Sequence, residues 1–424
     1  MTEAPSVHRA RTGQITFLVA LAVFAAESTW NFYDSQVPPL LREHIGSAAV
    51  VGFLMGMDNL LGVFIQPWIG NRSDNTRTSW GRRMPYLVVG MPAAALLFLA
   101  IPFAASNLVL LIVVIFAFSL VANSFKPVAE ALLPDFIPPE RRSRANAALR
   151  VAASLTAILA AVISIVLIDD HPNVAFAIPS ILGLVAVAVL AAKVRDSRSP
   201  AYLAALEEDG RKHESPKPQV RVRDLVADIV RDSDRSRLLV MVAVLAFSGA
   251  WAGVRALATP YAMEVLGLSR GDAGGLALPS GVAFLLAAYP SAMFAERFGR
   301  LRVIMAGLVI FALGMVFGTV VPTVAGTIVA FCLLAAGASA FMVNAMVVLW
   351  NLAPSSRVHG AYTGLFTVAF VGGGFLGPAL IGGMVDLAGW RSMLIDTALV
   401  ALVAVLAAAR VGARQRRSPG SHVL

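Results

Sequence analysis

The 424 residues are 58% hydrophobic and only 14% charged, with a mean hydropathy of +0.76. No water-soluble domain buries that much apolar surface, so the composition predicts an all-α polytopic membrane protein and excludes a soluble enzyme or binding module. A formal charge of +9 would suit nucleic acid, but its placement does not: apart from Arg42, Arg270 and Arg391 on one side, and Lys126 and Arg255 inside apolar runs, the 34 Lys and Arg gather at the other side of the predicted spans. That asymmetry predicts topology, with the basic side and both termini in the cytoplasm of a cell membrane and no nucleic-acid partner.

Twelve apolar runs follow in order, at about 14–38, 48–70, 85–105, 107–133, 145–168, 173–193, 238–262, 272–295, 301–321, 323–352, 360–385 and 390–410. Each is close to the ~20 residues that an α-helix needs to cross the hydrocarbon layer. Basic residues ahead of Ile15–Ala26 imitate a secretory signal, but the chain stays apolar to Leu41, so an uncleaved first span is expected. Arg195–Arg237, polar and broken by Pro200, Pro216 and Pro218, is the one long hydrophilic stretch. It divides the chain into a six-helix half (1–194), a cytoplasmic linker (195–237), a second six-helix half (238–412) and a basic tail (413–424). Within the linker, Arg221–Arg235 reads either as an amphipathic helix on the lipid surface or as a plain tether. The single cysteine, Cys332, can form no intrachain disulfide.

Polar groups inside spans are the candidate sites, because a charge in hydrocarbon is costly unless it faces a partner or a water-filled cavity. Span 1 carries Glu27, Asn31 and Asp34 at i, i+4 and i+7, on one face, flanked by Trp30 and Tyr33. Aromatic rings beside carboxylates and amides suit a sugar, whose ring faces stack and whose hydroxyls hydrogen-bond; Asp34 reads equally as an interfacial residue. Span 2 aligns Asp58, Gly62 and Gln66, with Asp58 roughly 16 Å from the outer end at ~1.5 Å per residue. Asn59 adds a second polar face.

The connection after span 2 is a short charged island, Gly70 to Gly90. Gly70 is followed by Ser73-Asp74, six further residues, then Gly81-Arg82-Arg83 and Pro85. This pattern resembles the loop between helices 2 and 3 of the major facilitator superfamily. The long spacing between acid and Gly-Arg pair looks like the sucrose-transporter branch, and is similar to the glycoside–pentoside–hexuronide:cation symporter group. The resemblance implies a twelve-helix fold in two six-helix halves. It also implies gating roles for Gly70, Asp74, Gly81, Arg82 and Arg83, with the two arginines placed to pair with acids such as Asp135 or to bind lipid phosphate. Sodium-coupled members of the glycoside group resemble span 2 but carry a second acid before the proline; here Gln66 precedes Pro67, as in the sucrose branch. A lone carboxylate withdrawn from water exchanges a proton near neutral pH, so proton coupling is favoured over sodium.

Span 4 holds Lys126 and Glu130 at i, i+4, close enough to neutralise each other. Its continuation, Pro134-Asp135 and then Arg141-Arg142 to Asn146, resembles the helix 4–5 junction of the sucrose branch and adds Asp135 and Arg141 to the gating set. Plant sucrose transporters carry an acid earlier in this helix, where Ser119 stands here. The expected proton carriers are therefore Asp58 and Glu27. In span 7, Arg255 should meet a carboxylate or the substrate, Asp58 being the expected partner. Span 10 offers Asn344 and Asn351, and span 11 the glycine-rich run Gly372 to Gly383. Before span 9, Glu296-Arg297-Phe298-Gly299-Arg300 is a worn copy of the first loop. Pro138–Arg141 matches Pro354–Arg357 at nearly the offset that relates Gly81 to Gly299, which predicts parallel repeats.

These residues point to a secondary transporter, with proton-coupled symport of a sugar or glycoside as what the resemblance implies. The alternatives are sodium-coupled sugar symport and proton-coupled efflux of a hydrophobic compound; span 5 lacks the Gly-Pro signature that drug/proton antiporters carry there. An embedded enzyme would need a cluster of His, Cys or Asp, whereas the six histidines are scattered in tails and loops. A sensor would need a signalling domain, for which the linker is too short and too polar. No metal or cofactor is expected; the expected partners are the substrate, the proton and the bilayer, and the chain is expected to act as a monomer.

Overall fold

The computed structural model of the protein describes residues 5–210, 235–352 and 359–415. Among these residues every regular element is a helix. They are α1 (Pro5–Arg42), α2 (Ala48–Asp74), α3 (Met84–Ala104), α4 (Leu108–Phe136), α5 (Pro139–Leu167), α6 (Pro172–Lys193) and the short α7 (Pro200–Gly210). The second series is α8 (Ser236–Leu266), α9 (Arg270–Gly275), α10 (Ala277–Phe298), α11 (Arg300–Val320), α12 (Val324–Asn351), α13 (His359–Ala388) and α14 (Met393–Gln415). Eleven stretches among the described residues are long and apolar enough to cross a bilayer, α9 and α10 together making one of them; Val151–Leu167 within α5 is a shorter twelfth. This is the twelve-span membrane architecture that the hydropathy predicts.

Local chemistry sets the ends. Asn107 caps α4 by accepting from the Leu110 amide at 3.0 Å, and Thr323 caps α12 by accepting from Gly326 at 3.1 Å. Gly267 ends α8 with φ +66°, a left-handed stop that suits glycine. Three boundaries differ from the hydropathy reading. Helix α1 continues through Pro38 and Pro39 to Arg42, and α5 begins at Pro139, so the charged run that reads as a loop forms the first turns of a helix. Proline suits that first position because its missing N–H would have had no helical partner. The third is α7, which falls in the stretch read as linker; Ser199 caps it, accepting from the Tyr202 amide at 3.2 Å.

The chain divides into two compact units that do not follow chain order. One is Met1–Tyr33 with Leu61–Ser215, the other Asp34–Leu60 with Pro216–Leu424, so the boundary cuts through both α1 and α2. In the first, α3 packs on α4 and α6, and α7 lies against α4. Its core is an aromatic cluster from four helices: Phe32, Phe98, Phe118 and Phe176 with Trp30 and Tyr33, ring centroids 5.1–6.3 Å apart. In the second, α8 packs on α13 and α14, and α12 on α10 and α11. Backbones there approach too closely for any side chain: a Cβ at Gly52 of α2 would lie 2.1 Å from the Pro378 carbonyl oxygen of α13, and one at Gly377 equally close to that of Gly249.

Candidate functional site

In the first unit, the polar residues of the spans form a connected set. The Glu27 carboxylate of α1 accepts from the Lys126 ammonium of α4 at 2.8 Å, both side chains partly exposed. One turn along α1, the Asn31 amide donates to Thr156 Oγ1 of α5 at 2.7 Å. On α2, Gln66 Nε2 donates to Asn123 Oδ1 of α4 at 2.7 Å, and Asn123 Nδ2 donates to the Ser119 carbonyl. Gly62 makes room for this pair, since a Cβ there would lie 2.9 Å from the Asn123 oxygen. Lys126 therefore reaches across to α1, whereas the sequence pairs it with Glu130 on its own helix. Glu130 is exposed and, among the described residues, makes no ion pair. Trp30 and Tyr33 are buried against Phe118, so their rings belong to the packing of α1 on α4.

Asn123 and Thr156 are absent from the residues that sequence reasoning singles out. For Asn123 a signal exists: Ser119, Asn123, Lys126 and Glu130 recur at helical spacing in an otherwise apolar helix. Thr156 carries none, because a lone threonine in a span usually bonds its own backbone; Thr156 does that too, donating to the Ala153 carbonyl at 2.5 Å.

At the arginine-rich end of the same unit, one buried carboxylate holds two guanidinium groups. Asp135, at the end of α4, accepts from Arg82 through Nε at 3.0 Å and Nη2 at 2.6 Å, and from Arg83 Nε at 2.9 Å. Arg83 also donates to Ser73 Oγ and, at 2.5 Å, to Asp74 Oδ1; Ser73 Oγ in turn donates to the Gly70 carbonyl at 3.0 Å. Burial disfavours the Arg82 charge, but the bond to Asp135 and the charges of Asp135, Asp74 and Asp196 outweigh it and hold the Arg82 pKa above the ordinary guanidinium value. Gly81 turns the chain with φ +99°, a conformation in which a side chain is strained. Asp196, just after α6, fills the space beside Gly81 and accepts from the Arg83 and Met84 amides at 2.5 and 3.3 Å. It thus caps α3, whose own N-cap residue, Arg83, supplies no side-chain bond. Tyr202 of α7 adds a bond from its hydroxyl to the Thr78 carbonyl at 3.0 Å. Neither residue is legible in a polar linker. The Arg141 side chain lies outside the described residues.

In the second unit, Asp34 accepts from Arg255 Nη2 of α8 at 2.5 Å, with the guanidinium 6.0 Å from the Trp251 ring. The last member of the α1 stripe is therefore an acid that Arg255 meets. Asp58 accepts from the Asn59 amide at 2.9 Å, and Asn59 Oδ1 lies against Gly374 of α13. Asn344 is buried and bonds the Ala340 carbonyl of its own helix. Gly299 repeats the positive φ of Gly81, at +92°. Among the described residues, however, Glu296, Arg297 and Arg300 form no ion pair; Arg297 lies over the Phe298 ring at 5.4 Å. No group of His, Cys, Asp and Glu suited to a metal occurs among the described residues.

The family model described as Major Facilitator Superfamily matches residues 19–289 and 240–422. No curated protein matches by sequence. Among solved structures, a nucleoside transporter, NupG, is similar with a TM-score of 0.74 at 13% identity, over 94% of this chain and 99% of that one. A bacterial homolog of the human lysosomal transporter Spinster, in an inward-facing and unoccupied conformation, matches at 0.69 and 14% identity, over 99% and 100%. The POT family transporter PepTSo matches at 0.67 and 13%, over 95% and 98%. At such identities the likeness shows the fold alone, while the family model covers almost the whole chain. The chain belongs to the Major Facilitator Superfamily: it is a secondary transporter that carries a small molecule across a lipid bilayer.

Proposed function

We propose that this transporter is a proton-coupled symporter of a sugar or glycoside. The observation that carries the reading is the Glu27–Lys126 pair, 2.8 Å apart on two membrane-spanning helices and bordered by the amides of Asn31, Gln66 and Asn123. Protonating Glu27 cancels its hold on Lys126, so the ammonium and the amides become donors for substrate hydroxyls. Removing the proton restores the pair and expels the substrate. Asp58 on α2 is the second acid assigned to coupling, because neutralising it lets a loaded carrier close without stranding a charge in apolar surroundings. Gln66 beside Pro67 supports the proton over sodium, since a sodium site needs several oxygen ligands with negative charge close by, and the second acid is missing here. Asp34, Asn59, Glu130, Arg255 and Asn344 are assigned to the substrate path. The loop residues Gly70, Asp74, Gly81, Arg82, Arg83, Asp135, Arg141, Glu296, Arg297, Gly299 and Arg300 are assigned to gating. The resemblance of the first loop to the sucrose-transporter branch supports the substrate class.

The same reading puts the arginine-rich end and both termini in the cytoplasm, by the excess of basic residues there. It takes residues 1–194 and 238–412 as the moving halves, joined by 195–237. Uptake by proteoliposomes of labelled mono- and disaccharides, with an imposed pH gradient or a sodium gradient, tests it. Accumulation of a sugar driven by the pH gradient is expected. Accumulation driven by sodium alone, or none for any sugar, contradicts it.

A further inference from the structure

The turn between α1 and α2 is gripped from three sides by elements of the second series. Asp386, in the last turn of α13, accepts from Ser47 Oγ at 2.5 Å and from the backbone amides of Ala48 and Ala49 at 2.7 and 3.1 Å. Arg42, at the end of α1, bonds Glu264 of α8 at 2.9 Å and lies 5.1 Å from the Trp390 ring, while donating to the carbonyls of Ile45 and Gly46. Arg270 of α9 donates to Gln36 through its side chain and its carbonyl, both at 2.8 Å.

The cap on α2 is shared between two distant parts of the chain. A helix begins with amides that have no partner within it. Ser47 serves one locally, accepting from Val50 at 3.2 Å, and its carbonyl serves Val51. The first two amides, those of Ala48 and Ala49, go to the carboxylate of α13. A negative charge at a helix start is favourable as well as a good acceptor. Below the cap the two helices touch backbone to backbone: a Cβ at Gly382 would lie 2.3 Å from the Ala48 carbonyl oxygen, and one at Gly56 2.4 Å from that of Phe375.

We infer that Asp386 is the latch of this end: its carboxylate on the α2 N-terminus holds the end shut, and the latch breaks each time the end opens. Helix α2 belongs to the first series and α13 to the second. In a carrier that exposes its site to each side in turn, a contact between the two series at one end exists only while that end is closed. Opening strips the Ala48 and Ala49 amides of their acceptor and leaves them to water, so the contact biases the equilibrium between open and closed ends. Asp386 is a positioning residue, and the substrate need not touch it.

Spin labels on the exposed residues Val50 and Leu387, in a Cys332→Ser background in lipid nanodiscs, read the separation of the two helix ends. Asp386→Asn removes the charge and sets an NH2 group against the amides. The long-distance population is expected to grow roughly fivefold relative to the closed one, the effect of losing about one helix cap. The thermal midpoint should change little, because neither series loses an internal contact. Ser47→Ala removes one donor to the carboxylate together with the local cap on Val50, so its midpoint should fall slightly while its populations shift the same way by less; its distance distribution decides the matter if Asp386→Asn does not fold. An unchanged distance distribution in the folded variants overturns the latch, as does a fallen midpoint with no change in distances. No substrate is required, so the result stands apart from the sugar-symport reading.

Discussion

Two loops share one backbone turn and differ in chemistry. Gly81 and Gly299 both sit at a φ near +95°, and each is followed by arginine. In the first loop Arg82 and Arg83 converge on Asp135 and reach Asp74; in the second, Arg297 and Arg300 have no carboxylate partner among the described residues. The offset that relates Pro138–Arg141 to Pro354–Arg357 puts Asn351, at the end of α12, where the first half has Asp135 at the end of α4. One carboxylate replaced by an amide removes the charge that would gather the arginines. Glycine persists in both loops because the turn needs its backbone freedom. The ion-pair network has no such hold on a repeat, and it marks the half in which this loop is locked.

The largest expected effect comes from making the first loop like the second. Asp135→Asn takes the paired carboxylate from Arg82 and leaves Arg83 only Asp74 and Ser73, and removing one partner of a buried pair costs about 3–5 kcal/mol. The thermal midpoint in detergent should fall by several degrees and uptake should be lost; an unchanged midpoint would mean that water already satisfies both arginines. Next come Gly81→Ala and Gly299→Ala. Each forces a side chain into a left-handed conformation, at about 1–2 kcal/mol. At Gly81 a Cβ would in addition lie 2.3 Å from the Asp196 carboxylate. Gly81→Ala should therefore lower the midpoint clearly more, and equal losses would show that Asp196 does not constrain the turn.

Asp74→Asn separates gating from stability. The Asp74 side chain is 55% exposed, so its bond to Arg83 contributes at most about 1 kcal/mol. Expression and midpoint should stay near wild type while initial uptake rates fall sharply; wild-type turnover would reduce the loop to a topology signal. The smallest effect is that of pH on the locked loop. Arg82 has its pKa raised by pairing with Asp135, against burial. A base with a raised pKa gives its full stabilisation at every pH below its unfolded value and loses it only as pH climbs through the folded one. Between about pH 5 and 8 the contribution from Arg82 is flat, so scans of the midpoint in Arg82→Gln and wild type should run parallel there.

The fold was legible because hydropathy reports it residue by residue: lengths of apolar runs, basic loops and one polar break suffice. Boundaries were legible only where side chains set them. The start of α5 hid its charged first turns, and α7 hid in a segment whose Pro200, Pro216 and Pro218 read as a tether. The stripe Glu27, Asn31 and Asp34 is plain in sequence, but its partners are not. Helical periodicity says which residues share a face, and says nothing of Lys126, Thr156 and Arg255, on three other helices, that meet them. The two acids that cap distant helices, Asp196 and Asp386, were invisible for the same reason. A cap supplied from far along the chain leaves no local spacing to read.

In the proton-coupled reading, carboxylates inside the spans, and not the loop charges, carry the coupling proton. Proteoliposomes loaded with the Glu27→Gln, Asp58→Asn and doubly substituted proteins test it most directly, using the sugar that wild type accumulates best under an imposed pH gradient. Each substitution mimics a permanently protonated acid. The double variant is predicted to lose all accumulation against a gradient while still exchanging labelled for unlabelled sugar across the membrane. Continued pH-driven accumulation by the double variant would contradict the claim and place the coupling proton elsewhere.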